Sequence, residues 1–126
     1  VALLAADFRV GALGDVKIGL NEVAIGLTLP TFATALADVR PSPLHRQRAQ
    51  VLAEIYDGPG AVAAGFLDRA VPALDVEAAA IAEATRFAEL HAGAHHATKR
   101  RVRRAALEVL RASLEEDQTG IGSVAS

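Results

Sequence analysis

The sequence predicts an α/β fold in which short strands near the start are followed by a series of helices. Two runs of β-type residues, Phe8 to Ala12 and Val16 to Leu20, lie close to the beginning of the chain. Apolar residues make up 52% of the chain but aromatic residues only 4%, and much of the apolar share is alanine. Because alanine favours helices and allows them to pack closely, we expect closely packed helices beyond the strands.

Besides the two strands, the first third is predicted to contain two helices. Residues Val1 to Ala6 form a run of small apolar residues typical of a helix. Leu13-Gly14-Asp15 has the chemistry of a tight connection between the two β-type runs. Pro30 suits the first turn of a helix over Thr31 to Val39, with Thr28 as its possible cap.

Proline and glycine residues divide the middle of the chain. The segment Arg40-Pro41-Ser42-Pro43 ends one helix, and the spacing of apolar residues predicts the next helix over Leu44 to Ile55. Tyr56 to Gly60 is expected to break the pattern. A short helix over Ala61 to Ala64 follows, and Gly65 closes it.

The second half of the chain is predicted to contain one extended stretch and two long helices. Phe66 to Pro72 is extended, and Asp75 can cap a helix over Val76 to Leu90. Ala92-Gly93 interrupts the helical pattern before a last helix from about His95 to Asp117.

Composition excludes several classes of function. At 126 residues the chain fits one domain, and the absence of cysteine excludes disulfides and thiolate metal sites. A net charge of −2 implies no general attraction to nucleic acid or membrane. No apolar run reaches the roughly 18 residues of a membrane span. We therefore expect a soluble, cytoplasmic protein, and the start at Val1 rather than Met suggests the later part of a longer chain.

Glu22 is the candidate catalytic base. It follows the second β-type run directly and precedes the apolar run Val23-Ala24-Ile25-Gly26-Leu27, and the nearest cation along the chain is Lys17. Partial desolvation makes a carboxylate a better proton acceptor near neutral pH. The alternative is a solvent-exposed loop residue or an acid at a helix N-terminus.

Four ordered motifs carry a family resemblance. They are Ala6-Asp7-Phe8-Arg9, Ile18-Gly19-Leu20-Asn21-Glu22, Ile25-Gly26-Leu27 and the longer run from Ala61 through Gly65-Phe66-Leu67-Asp68 to Val71-Pro72. Together they resemble the enoyl-CoA hydratase/isomerase, or crotonase, superfamily over about residues 1 to 117.

The resemblance implies an architecture and partners. It implies a crotonase-like spiral of ββα units, of which residues 1–72 are the later part of the core. Residues 73–117 are then a C-terminal helical oligomerisation layer, and residues 118–126 a flexible tail. The expected partners are an N-terminal half of the same fold and further copies in a homotrimer or hexamer. The substrate is an acyl-CoA thioester of fatty acid metabolism, and no cofactor is required because coenzyme A is part of the substrate.

The resemblance also implies a mechanism. In this superfamily two backbone N–H groups bind the thioester oxygen while a carboxylate moves a proton at the neighbouring carbon. Those donors lie upstream of the motifs seen here, so we expect residues 1–126 alone to be inactive. Hydratases carry a second glutamate, whose place Val1 occupies, and the Gly19-Leu20-Asn21-Glu22 wording is more similar to the isomerases. Isomerisation with Glu22 as the single proton shuttle is therefore favoured, with hydration or binding without turnover as alternatives.

Several other residues have both a functional and a structural interpretation. Lys99 begins a cluster of five basic residues among the six up to Arg104, which either meets the phosphates of CoA or forms a solvated or subunit-facing surface. Asp68 is expected to be structural, bonding to backbone donors, to Arg69 or to another subunit. The resemblance implies a catalytic acid near this position as the minor alternative. The histidines His91, His95 and His96 are a weak metal pattern, and we predict no metal. The apolar residues after Glu22 are either core residues or walls of the acyl pocket: Leu27, Leu29, Pro30 and Phe32.

Overall fold

The computed structural model describes the backbone of residues 1–120 and the side chains of residues 1–115. Seven helices occur in this part of the chain: α1 Ala2–Ala5, α2 Thr31–Val39, α3 Pro43–Gln50, α4 Gly58–Ala64, α5 Val76–Ala88, α6 Ala92–Val102 and α7 Arg104–Gly120. The described strands are short: β1 Val10–Ala12, β2 Ile18–Gly19, β3 Ile55–Tyr56 and β4 Arg69–Val71. The tail predicted for residues 118–126 falls partly within α7, and residues 121–126 lie outside the described residues.

The strands form two small pairs. β1 pairs in parallel with β4, and β2 pairs in antiparallel fashion with β3. The two β-type runs of the sequence are therefore not partners, and the tight connection predicted at residues 13–15 does not join a hairpin. Instead, the N–H of Leu13 donates to the carbonyl of Val71 at 2.7 Å, which extends the contact of β1 with β4.

Helix α2 has the predicted bounds, but other boundaries differ. Pro30 rather than Thr28 occupies the N-cap position of α2, without a side-chain cap. Helix α3 ends at Gln50 rather than at Ile55. The reason is that Ala53 takes a left-handed conformation, with φ of 51°, and the chain then enters β3.

The predicted break at residues 56–60 is part strand and part helix. Tyr56 belongs to β3, and α4 already begins at Gly58. The Asp57 carboxylate caps this helix by accepting a hydrogen bond from the N–H of Gly60 at 2.7 Å. Proline in the first turn costs nothing there, because its missing N–H has no partner within a helix. Gly65 closes α4 in the left-handed conformation, as predicted.

The break predicted at Ala92-Gly93 lies slightly earlier, at residues 89–91 between α5 and α6, and a further break at Arg103 divides the predicted last helix into α6 and α7. Helix α6 starts at Ala92 because the Nδ1 atom of His91 accepts a hydrogen bond from the N–H of Ala94 at 3.2 Å. Gly93 therefore sits in a capped first turn, where glycine does not interrupt a helix. No helix among the described residues is long and apolar enough to cross a membrane.

The core is built largely from small side chains. Its buried members include Leu4, Leu20, Ala37, Ala49, Tyr56, Ala61, Ala64, Phe66 and Leu67. Helix α2, which buries Ala33, Ala35 and Ala37, packs against α7. By contrast, Val102 of α6 and Val109 and Leu114 of α7 are exposed in this chain.

Residues Asp7, Phe8 and Arg9, here called the docking segment, connect strand β1 to helices from the second half. Asp7 forms ion pairs with Lys99 on α6 and with Arg103 at the C-terminal end of that helix. These contacts, led by the hydrogen bond from Lys99, hold the pKa of Asp7 below its ordinary value. The ring of Phe8 packs against Phe87 of α5 with centroids 5.5 Å apart.

Arg9 makes the most deeply buried contact of the docking segment. Its side chain is 4% exposed, and its Nε donates to an Asp68 carboxylate oxygen at 2.9 Å. Its backbone N–H donates to the same oxygen at 2.8 Å, and its guanidinium also donates to the carbonyl of Gly65. The ion-pair partner of Asp68 in this chain is therefore Arg9, which supports a structural role for Asp68. Arg69, the predicted partner, pairs with Glu83 instead.

Candidate active site

Glu22 lies three residues beyond the end of β2 and begins a short 3-10 turn over Val23–Ile25. Leu20, between the strand and the turn, is buried and anchors this connection in the core. The carbonyl of Glu22 accepts hydrogen bonds from the N–H groups of Ile25 at 3.1 Å and Leu27 at 2.9 Å. Gly26 closes the turn with φ of 80°, a conformation that glycine adopts without strain. The backbone of Glu22 is therefore held on both sides.

The carboxylate of Glu22 is the unusual polar group of this region. Its Oε2 atom is buried and has no hydrogen-bond partner within the described part of the chain. A buried polar atom without a partner costs roughly 1 to 3 kcal/mol, and more when it is charged. Native structures satisfy most such atoms, so an unsatisfied carboxylate oxygen suggests a functional role. The role of Glu22 as a base stays a prediction.

The predicted acyl-pocket residues divide into two groups. Leu27 is 52% exposed and is joined to Glu22 by the backbone hydrogen bond already described. Leu29 is half-buried and packs against the core cluster, in keeping with its structural interpretation. Pro30 and Phe32, both half-buried, lie at the N-terminal end of α2. The structure thus places all four on the segment that leaves Glu22 and enters α2, and their contact with a substrate stays a prediction.

Lys99 lies in another part of the molecule, on α6. Its ammonium group pairs with Asp7, and its side chain is 40% exposed. It lines a cavity of about 470 Å³ together with Asp7, Leu90, His91, Ala94, His95, Thr98, Val102 and Arg103. The described contacts do not join this cavity to Glu22, so a role in binding CoA stays a prediction. Within the described residues, no group of three or more possible ligands is placed to hold a metal.

Sequence reasoning missed one polar cluster near β2. The Nδ1 atom of His45 lies 3.1 Å from the phenol oxygen of Tyr56, and that phenol lies 3.3 Å from the Glu54 carboxylate. Neither the spacing nor the residue types match a familiar motif. The left-handed Ala53 before Glu54 is not visible in the sequence either, since alanine gives no signal for it.

Comparison with known proteins identifies the family. No family model matches the sequence, and no curated protein matches it. A solved structure of an enoyl-CoA hydratase/isomerase family protein from Pseudomonas syringae is 40% identical, with a TM-score of 0.90 over 94% of this chain and 51% of that chain. The chain belongs to the enoyl-CoA hydratase/isomerase superfamily. It has the crotonase fold and spans about half the length of the structures that it matches.

Further solved structures of similar proteins include one described as an isomerase and another of the same protein described as a hydratase. A Mycobacterium tuberculosis protein, described as an enoyl-CoA isomerase, is 38% identical, with a TM-score of 0.88 over 93% of this chain and 51% of that chain. Another structure of that protein is described as a probable enoyl-CoA hydratase. The human mitochondrial delta3-delta2-enoyl-CoA isomerase is 24% identical, with a TM-score of 0.85 over 93% of this chain and 46% of that chain, which supports the fold alone.

Proposed function

We propose that the protein containing this chain moves a double bond within an enoyl-CoA thioester, with Glu22 as the single group that transfers the proton. The observation that carries the proposal is the buried Oε2 atom of Glu22, three residues beyond β2, which has no hydrogen-bond partner among the residues that the structure describes. The substrate class follows from the family and from the descriptions of its members as enoyl-CoA isomerases and hydratases. Within this proposal the protein acts in fatty acid metabolism in the cytoplasm.

The chemistry requires one group that acts first as a base and then as an acid. The ionised carboxylate of Glu22 takes the C2 proton of a 3-enoyl thioester, and the bonding electrons delocalise onto the thioester oxygen. The resulting carboxylic acid then returns the proton to C4, where the electron pair of the original C3–C4 double bond binds it. The electrons on the thioester oxygen restore the carbonyl group, and a new double bond forms between C2 and C3. A positioned general base of this kind contributes roughly a hundredfold to ten-thousandfold in rate.

The environment of Glu22 suits this role. The Oε2 atom accepts no hydrogen bond within the described part of the chain, so its lone pairs are available to a proton from carbon, and its burial removes it from competing water. The hydrogen bonds from the N–H groups of Ile25 and Leu27 to the Glu22 carbonyl fix the backbone from which the side chain projects.

One acid favours isomerisation over hydration. Hydration must activate a water molecule and also protonate carbon, which suits two acids, whereas moving a double bond needs only one shuttle. Val1, at the position where the resemblance places a second glutamate, is not an acid, and helix α1, which follows it, carries no acidic residue. Hydration of an enoyl-CoA is the alternative.

The remaining groups of the proposed site come from two sources. Leu27, Leu29, Pro30 and Phe32 line the acyl pocket, and Lys99 meets a phosphate of CoA. The donors for the thioester oxygen come from residues outside 1–126, and losing one such donor costs about a hundredfold to a thousandfold in rate. We therefore expect residues 1–126 alone to show no turnover, and the full-length protein to act as a homotrimer or hexamer.

The test is proton exchange in heavy water. The full-length protein is incubated with a 3-enoyl-CoA in D₂O, and deuterium at C2 and C4 is followed by mass spectrometry and NMR. Glu22→Gln keeps the size of the side chain but cannot accept the proton, so we expect exchange and isomerisation to fall by at least about a hundredfold. Binding of the CoA thioester, measured by calorimetry, should stay within about threefold because Glu22 does not contact CoA phosphates in this proposal.

The matched control is Asp15→Asn, which removes an exposed acid from the turn just before β2. Its exchange rate should equal that of the parent. Unchanged exchange in Glu22→Gln would remove Glu22 as the base. Calorimetric binding by the parent without any exchange would favour a binding or assembly module, and addition of ¹⁸O-water across a 2-enoyl-CoA without isomerisation would favour a hydratase.

A further inference from the structure

The cluster of His45, Tyr56 and Glu54 connects helix α3 to strand β3. His45 lies on α3, Tyr56 is the last residue of β3, and Glu54 lies immediately before that strand. Tyr56 is 7% exposed, and its ring packs edge-on against His45 and tilted against Phe66. The three polar groups therefore form one hydrogen-bonded chain at the edge of the core.

The direction of the hydrogen bonds in this chain follows from counting protons. An ionised carboxylate only accepts, so the phenol of Tyr56 donates its single proton to Glu54. The Nδ1 atom of His45 must then carry a proton and donate to the phenol oxygen. Burial raises the pKa of Tyr56, and the neighbouring Glu54 raises it further, so the phenol keeps its proton and remains a donor.

This network borders β2, the strand that precedes Glu22. In the β2–β3 pair, Ile18 lies opposite Tyr56 and Gly19 lies opposite Ile55. The contact at Gly19 is close, because a Cβ atom built there would lie 2.7 Å from the Ile55 side chain and 2.8 Å from the Glu54 carbonyl oxygen. A shift of the backbone at residues 54–56 must therefore also shift Gly19, three residues before Glu22.

The backbone before the network supports the same interpretation. Ala53 has a φ of 51°, a left-handed conformation that costs an alanine roughly 1 to 2 kcal/mol. The N–H of Glu54 donates to the Arg48 carbonyl at 3.0 Å, so this conformation turns the chain back to α3 and aims Glu54 at Tyr56. The strained turn and the hydrogen bonds together fix where β3 begins.

We propose that His45, Tyr56 and Glu54 are positioning residues that hold β3, and through Gly19 the end of β2, so that Glu22 keeps its orientation toward the substrate. The inference rests on the proposed function of Glu22. None of the three residues touches the reacting atoms in this proposal, and each acts through the β2–β3 contact. The predicted signature is therefore a loss of kcat without a matching change in KM.

The experiment compares variants of the full-length protein in the isomerisation assay, at a temperature where circular dichroism shows each to be folded. Tyr56→Phe keeps the ring but removes the hydroxyl group, and Glu54→Ala removes the acceptor. We expect kcat to fall by about tenfold to a hundredfold in each, because small displacements of a catalytic group have effects of this size. KM should stay within about twofold.

Three further variants separate positioning from general stability. Glu54→Gln keeps a carbonyl acceptor for the phenol and should retain most of the rate. The double variant Tyr56→Phe/Glu54→Ala should lose no more than either single variant, because both break the same chain. Gln50→Ala removes a hydrogen bond of 2.9 Å between α3 and Asp38 that does not reach β3, and should leave kcat unchanged.

The outcomes distinguish this inference from the proposed function. Parent-like kcat in Tyr56→Phe and Glu54→Ala, with an active parent, overturns the positioning role, as does a rise in KM without loss of kcat. Absence of proton exchange in the parent, or unchanged exchange in Glu22→Gln, overturns the proposed function instead.

Discussion

The docking segment and the Glu22 turn both carry charged groups beside short strands, but they treat those charges in opposite ways. In the docking segment, Asp7 is paired with Lys99 and Arg103, and Arg9 is paired with Asp68. At the Glu22 turn the backbone carbonyl accepts two hydrogen bonds, while the buried Oε2 atom has no hydrogen-bond partner among the described residues.

The difference shows which acid is structural and which is a candidate for chemistry. The Asp68 carboxylate accepts three hydrogen bonds from Arg9, which fits a structural role. The Oε2 atom of Glu22, by contrast, accepts none from the described residues. Because an unsatisfied buried oxygen costs free energy, its retention is best explained by function.

The largest expected effect is on stability, in the docking segment. Arg9→Ala removes the buried guanidinium and leaves the Asp68 carboxylate, 30% exposed, without its ion-pair partner, although the backbone N–H of residue 9 can still donate to it. Breaking such a pair costs about 3 kcal/mol in free energy of unfolding, measured by urea denaturation. Arg69→Ala, which breaks an exposed pair with Glu83, is the control and should cost less than about 1 kcal/mol. Equal losses in the two variants would contradict a special role for Arg9.

Gly65→Ala tests the backbone to which Arg9 bonds. Gly65 has a φ of 90°, and an added Cβ atom would lie 2.8 Å from the Arg40 carbonyl oxygen. The left-handed strain and the collision of the added Cβ atom together should lower the free energy of unfolding by more than about 2 kcal/mol. Gly14→Ala separates the two terms, because Gly14 has a φ of 96° with nothing within 4 Å of the added atom. Thermal unfolding of both variants should show the larger loss in Gly65→Ala, and a larger loss in Gly14→Ala would refute the collision.

Glu22→Leu tests the other side of the comparison. Glu22→Leu replaces a carboxylate that has one buried oxygen without a partner among the described residues by an apolar side chain of similar size. This change should raise the free energy of unfolding by about 1 kcal/mol while abolishing proton exchange. Chemical denaturation and the exchange assay on the same preparation give both values. A loss of stability similar to that of Arg9→Ala would mean that Glu22 is structural, like Asp68.

The smallest effect is expected at Asp7, whose ion pairs are partly exposed. Since the pKa of Asp7 is lowered in the folded state, its stabilisation is present above the ordinary value of about 3.9 and is lost as the pH falls through the folded value. Asp7→Asn should cost less than about 1 kcal/mol at neutral pH and flatten this part of the pH profile. Added salt should shrink the difference, and a loss that is independent of salt would point to packing instead.

Local signals predicted those parts of the fold that depend on neighbouring residues. Pro30 marks the start of α2, and Gly65 closes α4, as predicted. The end of α3 was wrong because the left-handed Ala53 depends on contacts of Glu54 with α3 and β3. The break at residues 56–60 was wrong because Asp57 caps a helix that tolerates glycine and proline in its first turn.

The sequence by itself determined the family, the α/β class and the position of Glu22 after a strand, because each depends on residues that are contiguous in the chain. Only the tertiary structure decided that β1 pairs with β4, that Asp68 is bound by an arginine 59 residues away, and that one oxygen of Glu22 finds no partner among the described residues. Pairing and burial are properties of groups brought together by folding, and a one-dimensional pattern does not specify which distant groups meet.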